Sequence, residues 1–203
     1  VLDHPVLRGL PALTGFLNQT GGGRGRSREV SIGKKYYAQS INLLAPTGRV
    51  RIYGTDITER KQAELALQDS EQRFRTMANS IPQLAWIARA DGYIFWYNQR
   101  WYQYTGTTPE QMEGWGWQSV HDPQLLPRVM AEWTEAIQSG ESFEMEFPLR
   151  GADGQFRQFL TRALSLKDAG GTVVQWFGTN TDVHDLRRAE TALRESQAMY
   201  HFL

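Results

Sequence analysis

Asp56-Ile57-Thr58 runs into Arg60-Lys61-Gln62-Ala63-Glu64-Leu65-Ala66-Leu67, and 126 positions later Asp182-Val183-His184 runs into Leu186-Arg187-Arg188-Ala189-Glu190-Thr191-Ala192-Leu193. The match continues through Ser70 and Ser196 to Phe74 and Tyr200. A period of that size is one domain plus its connector, so the chain is expected to be a stretch of a serial array whose domains are left by the same helix. Its 203 residues hold one whole domain and part of another. Val1 in place of an initiating Met predicts a segment of something longer.

The repeated part is helical. Ala63, Leu67, Ser70, Phe74, Met77 and Ile81 follow one another at spacings of 4, 3, 4, 3 and 4, a heptad seam over residues 58–81 that Pro82 ends. Leu186, Ala189, Leu193, Ser196, Tyr200 and Leu203 repeat the seam in the same phase relative to Asp182. Leu67, Phe74 and Ile81 would each contribute about 1.5–3 kcal/mol if fully buried, and Ala63 and Ser70 far less. A seam of such mixed quality suits a helix that shifts between two packings. Asp56 and Asp182 stand where a carboxylate accepts the first backbone N–H groups of each helix, a cap worth about 1 kcal/mol.

Between the helices, residues 83–180 read as one α+β domain. Leu84 to Ala88 and Tyr93 to Tyr97 make strands around an Asp91-Gly92 turn. Gly106, Pro109, Gly114 and Gly116 break the next stretch into short helical turns. Pro123 is placed in the first turn of a longer helix, which carries Leu126, Met130, Trp133 and Ile137 on one face and stops at Gly140. Phe143 to Leu149, Phe156 to Leu166 and Thr172 to Gly178 supply three more strands. The expected fold is a five-stranded antiparallel sheet with short helices on one face, flanked by the two amphipathic helices. Upstream, Glu29 to Ile32 alternates briefly, Tyr36 to Leu44 and Val50 to Tyr53 read as strands, and Pro46-Thr47-Gly48 as a turn.

Charge is balanced at 22 basic and 22 acidic residues, which gives no case for nucleic acid or an anionic membrane. No cysteine is present, so disulfides, thiolate metal sites and thiol nucleophiles are excluded; a reduced, cytoplasmic setting fits. Val6 to Leu17 is interrupted by Arg8, Gly9 and Pro11 and is shorter than the roughly 20 residues of a membrane span. Gly21 to Arg28 is glycine-rich and basic but lacks the Gly-Lys-Ser/Thr ending of a phosphate loop, and reads as a solvated hairpin loop. His201 lacks the flanks of a phosphoacceptor, and no catalytic constellation stands out.

Tyr53-Gly54-Thr55-Asp56-Ile57-Thr58-Glu59-Arg60-Lys61, Phe177-Gly178-Thr179 with Asp182-Val183, Asp91-Gly92-Tyr93-Ile94 to Asn98, Tyr104-Thr105-Gly106 and Asp153-Gly154-Gln155-Phe156-Arg157 together resemble bacterial PAS sensor domains with their C-terminal PAC motif, found in tandem in sensor histidine kinases. The family's His-Pro-Asp-Asp run is here His121-Asp122-Pro123-Gln124, and Val183-His184 replaces the Ile57-Thr58 of the first copy.

The resemblance implies the C-terminal part of an upstream domain at 1–57, a connector helix at 58–81, a complete PAS/PAC domain at 82–181 and an exit helix at 182–203. It implies signal junctions at Asp56, Thr58 and Asp182, and a parallel homodimer seam through Leu67, Phe74, Ile81, Leu186, Leu193 and Tyr200. It places whatever is sensed between the long helix and the sheet, for which Trp117, Leu126, Met130, Trp133, Leu160 and Trp176 are the pocket candidates.

The expected function is a non-catalytic sensor segment of a histidine kinase, responding to an unknown small molecule. A dimerisation spacer, a cofactor-bearing redox or gas sensor and a sensor for a cyclic-dinucleotide enzyme are the rivals. Haem would need a histidine in the long helix, and residues 124–139 contain none; His121 is assigned to a turn or helix start. A flavin bonded to cysteine is excluded. A noncovalent flavin would stack on tryptophan, but Trp86, Trp96, Trp101 and Trp115 read as core or surface aromatics. No cofactor is expected.

Overall fold

The computed structural model describes residues 26–44 and 49–200. Of the expected Gly21 to Arg28 loop, residues 21–25 lie outside what it describes, and Arg26 to Arg28 are instead strand, paired with Ile41 to Gln39; the turn at Pro46 to Gly48, the side chain of Tyr200, and His201 and Leu203 also lie outside the described residues. The chain divides between Gln72 and Arg73 into two compact units.

The first unit contains β1 (Arg26–Ile32), β2 (Lys35–Leu44) and β3 (Arg49–Asp56), an antiparallel sheet in chain order. From β3 the chain enters α1 (Thr58–Ser80), whose early turns belong to this unit. Ile81 lies one residue beyond the helix, because Pro82 cannot continue the backbone ladder. The seam expected through Ile81 therefore ends at Met77.

The second unit holds β4 (Leu84–Arg89), β5 (Ile94–Tyr97), α2 (Gln99–Thr105), α3 (Pro109–Met112), a 3-10 turn (Gly116–Val120), α4 (Leu126–Ser139), β6 (Phe143–Arg150), β7 (Phe156–Lys167), β8 (Val173–Asp182) and α5 (His184–Tyr200). The five strands are antiparallel in the order β5-β4-β8-β7-β6. The last strand is thus the central one, and α5 leaves directly from it.

One face of the sheet is buried. Trp86, Ala88, Ile94, Phe143, Phe147, Leu149, Phe159, Ala163 and Trp176 meet Trp101, Met112, Trp117, Val120, Val129, Trp133 and Ala136 from the helical layer. Trp133 anchors α4, meeting Trp86, Phe143 and Trp176 edge-on at 5.6, 5.5 and 5.1 Å between ring centroids. Such pairs add to the area they bury. The first helical residue of α4 is Leu126, so Pro123 sits in the preceding turn and Pro127 takes the early-helix position expected of it. Gly140, at φ +68°, closes the helix in the left-handed conformation that only glycine adopts without cost.

Candidate functional site

Strand parity and helix phase bring eleven side chains around a cavity of about 30 Å³ in the second unit. Trp86, Ile94, Phe143, Phe147, Thr161 and Asn180 come from the sheet, and Trp101, Trp117, His121, Val129 and Trp133 from the helical layer. Trp86 has room for its indole because Gly178 lies under it; a Cβ there would stand 2.1 Å from the ring.

A buried polar chain crosses the sheet below the cavity. Trp86 Nε1–H donates to Asn180 Oδ1 at 2.8 Å, and Asn180 Nδ2–H donates to Thr161 Oγ1 at 2.6 Å. Asn180 lies on β8, two residues before its end at Asp182.

His121 follows the 3-10 turn and forms a bridge to Leu149. Its ring sits between Trp117 and Phe147, at 4.9 and 4.7 Å between centroids. Nδ1 lies 3.0 Å from the Trp117 carbonyl. A carbonyl only accepts, so Nδ1 carries the proton and Nε2 presents a bare lone pair. Burial, opposed in part by that hydrogen bond, pulls the imidazole down to about 4, and the ring is neutral near pH 7. Nε2 has no partner, nor have the indole nitrogens of Trp101 and Trp117. These three residues are 6%, 2% and 5% exposed. Unpaired buried polar atoms are uncommon enough in native folds to require a reason.

The expected pocket residues are only partly brought together. Trp117 and Trp133 line the cavity. Leu126 and Met130 pack against the core but do not reach it, and Trp176 is fully buried behind Trp133. The expectation for Leu160 is not met: Phe159, Thr161 and Ala163 take the inner face of β7, and alternation turns Leu160 to the other. Trp86, Trp101, His121 and Asn180 also line the cavity and were not among the expected pocket residues. Leu84 to Ala88 of β4 are all buried, so no alternation marks Trp86 as the one facing the cavity; for His121 the signal was a histidine four residues after Trp117, ahead of a proline turn.

The joints are built alike. Thr58 N–H donates to Asp56 Oδ1 at 3.0 Å, and His184 N–H to Asp182 Oδ1 at 2.9 Å. Ile57 N–H reaches the Tyr36 carbonyl, and Val183 N–H the Gln158 carbonyl, both at 2.9 Å. Tyr36 N–H donates to Thr58 Oγ1 at 3.0 Å; His184 Nδ1 fills that acceptor role for Gln158 N–H at 3.4 Å. The Thr58 side chain and backbone hold the Asp56 carboxyl below its usual range. Glu29 on β1 meets Lys61 at 2.7 Å, and Glu146 on β6 pairs with Arg187, whose Nε donates at 3.0 Å.

Of the expected seam residues, Leu67, Leu186 and Leu193 are 71%, 58% and 60% exposed. Phe74 is not free in the same way, since its ring lies 5.1 Å from Trp96.

The chain matches the PAS fold family over residues 78–188. It belongs to that family. It is 34% identical over 145 residues to the uncharacterized protein y4lL of Sinorhizobium fredii. It is 32% identical over 127 residues to the peroxide stress-activated histidine kinase mak1 of Schizosaccharomyces pombe. These alignments take in 71% and 62% of this chain but 17% and 8% of the two relatives. Among solved structures, it is similar to a sensory box histidine kinase/response regulator from Burkholderia thailandensis, at 21% identity and a TM-score of 0.49, covering 64% of this chain and 99% of that one. It is also similar to a PAS domain from Colwellia psychrerythraea, at 16% identity and a TM-score of 0.48, covering 56% and 97%.

The PAS cavity can be weighed against the family's larger cofactors. A bare Nε2 with Nδ1–H held by a backbone carbonyl is the chemistry of an axial ligand, but about 30 Å³ is an order of magnitude below the volume of an ordinary small-molecule site. Neither haem nor flavin fits it. Among the described residues no group of three or more His, Asp and Glu could hold a metal ion, and no helix is long and apolar enough to cross a membrane.

Proposed function

We propose that this chain is the regulatory segment of a two-component sensor histidine kinase, in which the PAS unit perceives a small-molecule signal and passes it to an output domain through α5. One observation carries the reading: the central strand β8 places Asn180 at the cavity and, two residues on, caps α5 with Asp182. A change in the cavity that moves Asn180 is thereby felt at the first turn of the exit helix. A ligand does this only through different affinities for the two arrangements.

In this reading β1 to β3 are the end of an upstream PAS domain, and α1 and α5 are connectors whose exposed leucines pair across a parallel homodimer. The chain itself catalyses nothing, and the kinase domains belong to the parent protein on the cytoplasmic side. The mak1 relative supports a kinase output. If the parent answers to peroxide, the signal does not enter here through a thiol, because the chain has no cysteine. A pure spacer would have no use for three unpaired buried nitrogens, which favours sensing.

The test is amide hydrogen exchange on Asn180→Ala. Loss of this side chain unpairs the Trp86 indole and is expected to speed exchange several-fold at residues 183–190, with α4 unchanged. Exchange altered only within β4 and β7, and not in α5, would overturn the coupling.

A further inference from the structure

We infer that the joint at α5 is proton-sensitive and the joint at α1 is not: the neutral ring of His184 latches the exit helix to β7, and a proton on that ring releases it. The latch stands on geometry, and its effect on output rests on the reading of α5 as the exit connector. The two joints are one device with a single part exchanged. A basic side chain of the neighbouring strand holds the cap aspartate, Lys35 with Asp56 at 3.4 Å and Arg157 with Asp182 at 2.7 Å. The carbonyl of the next residue, Tyr36 or Gln158, accepts from Ile57 or Val183 N–H at 2.9 Å. The N–H of that same residue donates to the first side chain of the helix, Thr58 Oγ1 at 3.0 Å or His184 Nδ1 at 3.4 Å. Only this last acceptor differs in kind. A hydroxyl oxygen accepts at any ordinary pH, whereas an imidazole nitrogen accepts only while it is bare. A backbone N–H cannot accept, so His184 Nδ1 carries no hydrogen and the ring's proton is on Nε2, the tautomer opposite to that of His121. A second proton would set N–H against N–H, and histidine is the side chain whose charge ordinarily changes between about pH 5 and 8.

The charges around the ring give the imidazolium somewhere to go. His184 is half-buried, between the exposed carboxylates of Asp182 at the end of β8 and Asp185 on α5. Arg157 of β7 donates to both, at 2.7 and 3.1 Å. Arg187, one turn along α5, is held by Glu146 of β6 and by Glu190. The Tyr104 phenol of α2, which feels Asp182 and Arg157, is pushed up to about 12, chiefly by burial, and stays neutral. A charged His184 therefore leaves the Gln158 N–H for a carboxylate that it shares with Arg157. Asp182 still accepts His184 N–H at 2.9 Å, so the cap survives while the side-chain tie to β7 is lost. At α1 the same acidification changes nothing, because Thr58 has no proton to gain.

The test is a titration of the whole 203-residue chain from pH 8 to pH 5, followed by the backbone amide resonances of Gln158 and Tyr36 and by the His184 ring. Gln158 should shift in step with the ring, and Tyr36, its counterpart at the other joint, should not. Hydrogen exchange at each pH, divided by the rates of unstructured peptide at that pH, reads the consequence. Protection of residues 185–190 should fall about three- to tenfold relative to residues 59–64 on acidification, the worth of one hydrogen bond. His184→Thr, which gives α5 the acceptor that α1 has, should hold that ratio constant. A Gln158 amide that ignores the titrating ring overturns the latch, as does a ring that stays uncharged down to pH 5. A shifted amide with unchanged α5 protection overturns the release, and a pH response that persists in His184→Thr places the proton elsewhere and overturns the assignment. The wild-type titration decides between these even where the variant fails to fold, because the α1 joint is its internal control. A proton-sensitive α5 that does not answer to Asn180→Ala would sink the transmission reading and leave the latch standing. An answer to Asn180→Ala in a joint indifferent to pH would do the reverse.

Discussion

His121 shows how one buried side chain sets a pH dependence. The ring ionises near 6.5 in an unfolded chain and near 4 in the folded one, because burial disfavours its charged form. Between those values the unfolded state binds a proton that the native state refuses. Its contribution is therefore complete above about pH 6.5 and is lost as pH falls toward 4. The loss approaches about 3 kcal/mol, since each unit of difference is worth about 1.4 kcal/mol. Urea denaturation of the wild type and His121→Gln at pH 7 and pH 4.5 is expected to show the wild type losing about 2–3 kcal/mol more than the variant. Parallel losses in the two proteins would mean that the native imidazole takes up its proton as readily as the unfolded one. The sequence held the residue but not this property. His121 was legible as a turn, while its burial depends on Leu149 and Phe147 of β6, which close over it from nearly 30 positions away.

The elements were more legible than their partners. The alternation of Phe143, Phe147 and Leu149, the glycine turns and the stop at Gly140 are local chemistry, and they place strands and helices without long-range information. Strand order, the face given to Leu160 and the cavity are set by pairing across the sheet, and no local pattern reports that.

The connector helices lie between the two cases. Their heptad spacing is legible, and α1 has no buried residue, but Phe74 rests on Trp96 of its own unit, so charge placed there would disturb β5 as well as any seam. Leu67 and Leu193, mostly exposed, are the clean probes. A Leu67→Lys/Leu193→Lys chain is expected to self-associate at least tenfold more weakly by sedimentation equilibrium, with an unchanged circular dichroism spectrum, since like charges at seam positions repel and forfeit apolar burial. Unchanged association would remove the seam from the dimer proposal.

At the scale of the whole molecule, the repeat is larger than the sequence discloses. Opposite Asp56 stands Tyr37, and opposite Tyr37 stands Val30; opposite Asp182 stands Phe159, and opposite Phe159 stands Phe147. The two three-strand segments thus correspond at offsets of 117, 122 and 126 as turns of different length intervene, and only the last offset survives as visible similarity. In this frame Glu29 and Glu146 occupy one position, just before Val30 and Phe147, and each pairs with the basic residue at the same place in its helix, Lys61 or Arg187. The carboxyls of both glutamates are held below their usual range, chiefly by hydrogen bonds from those basic partners. Ion pairs this exposed add little to global stability and weaken in salt, so their use is local, fixing where the first turn of the helix rests against its sheet. Hydrogen exchange on Glu29→Gln, Glu146→Gln and the double variant separates the two roles. Each single change is expected to speed exchange in the first turns of its own helix, α1 or α5, with no shift in the urea midpoint, and the double variant to show the sum. A loss of global stability would make the pairs ordinary fold supports; exchange rising in the helix whose glutamate is intact would mean that the joints are not independent copies.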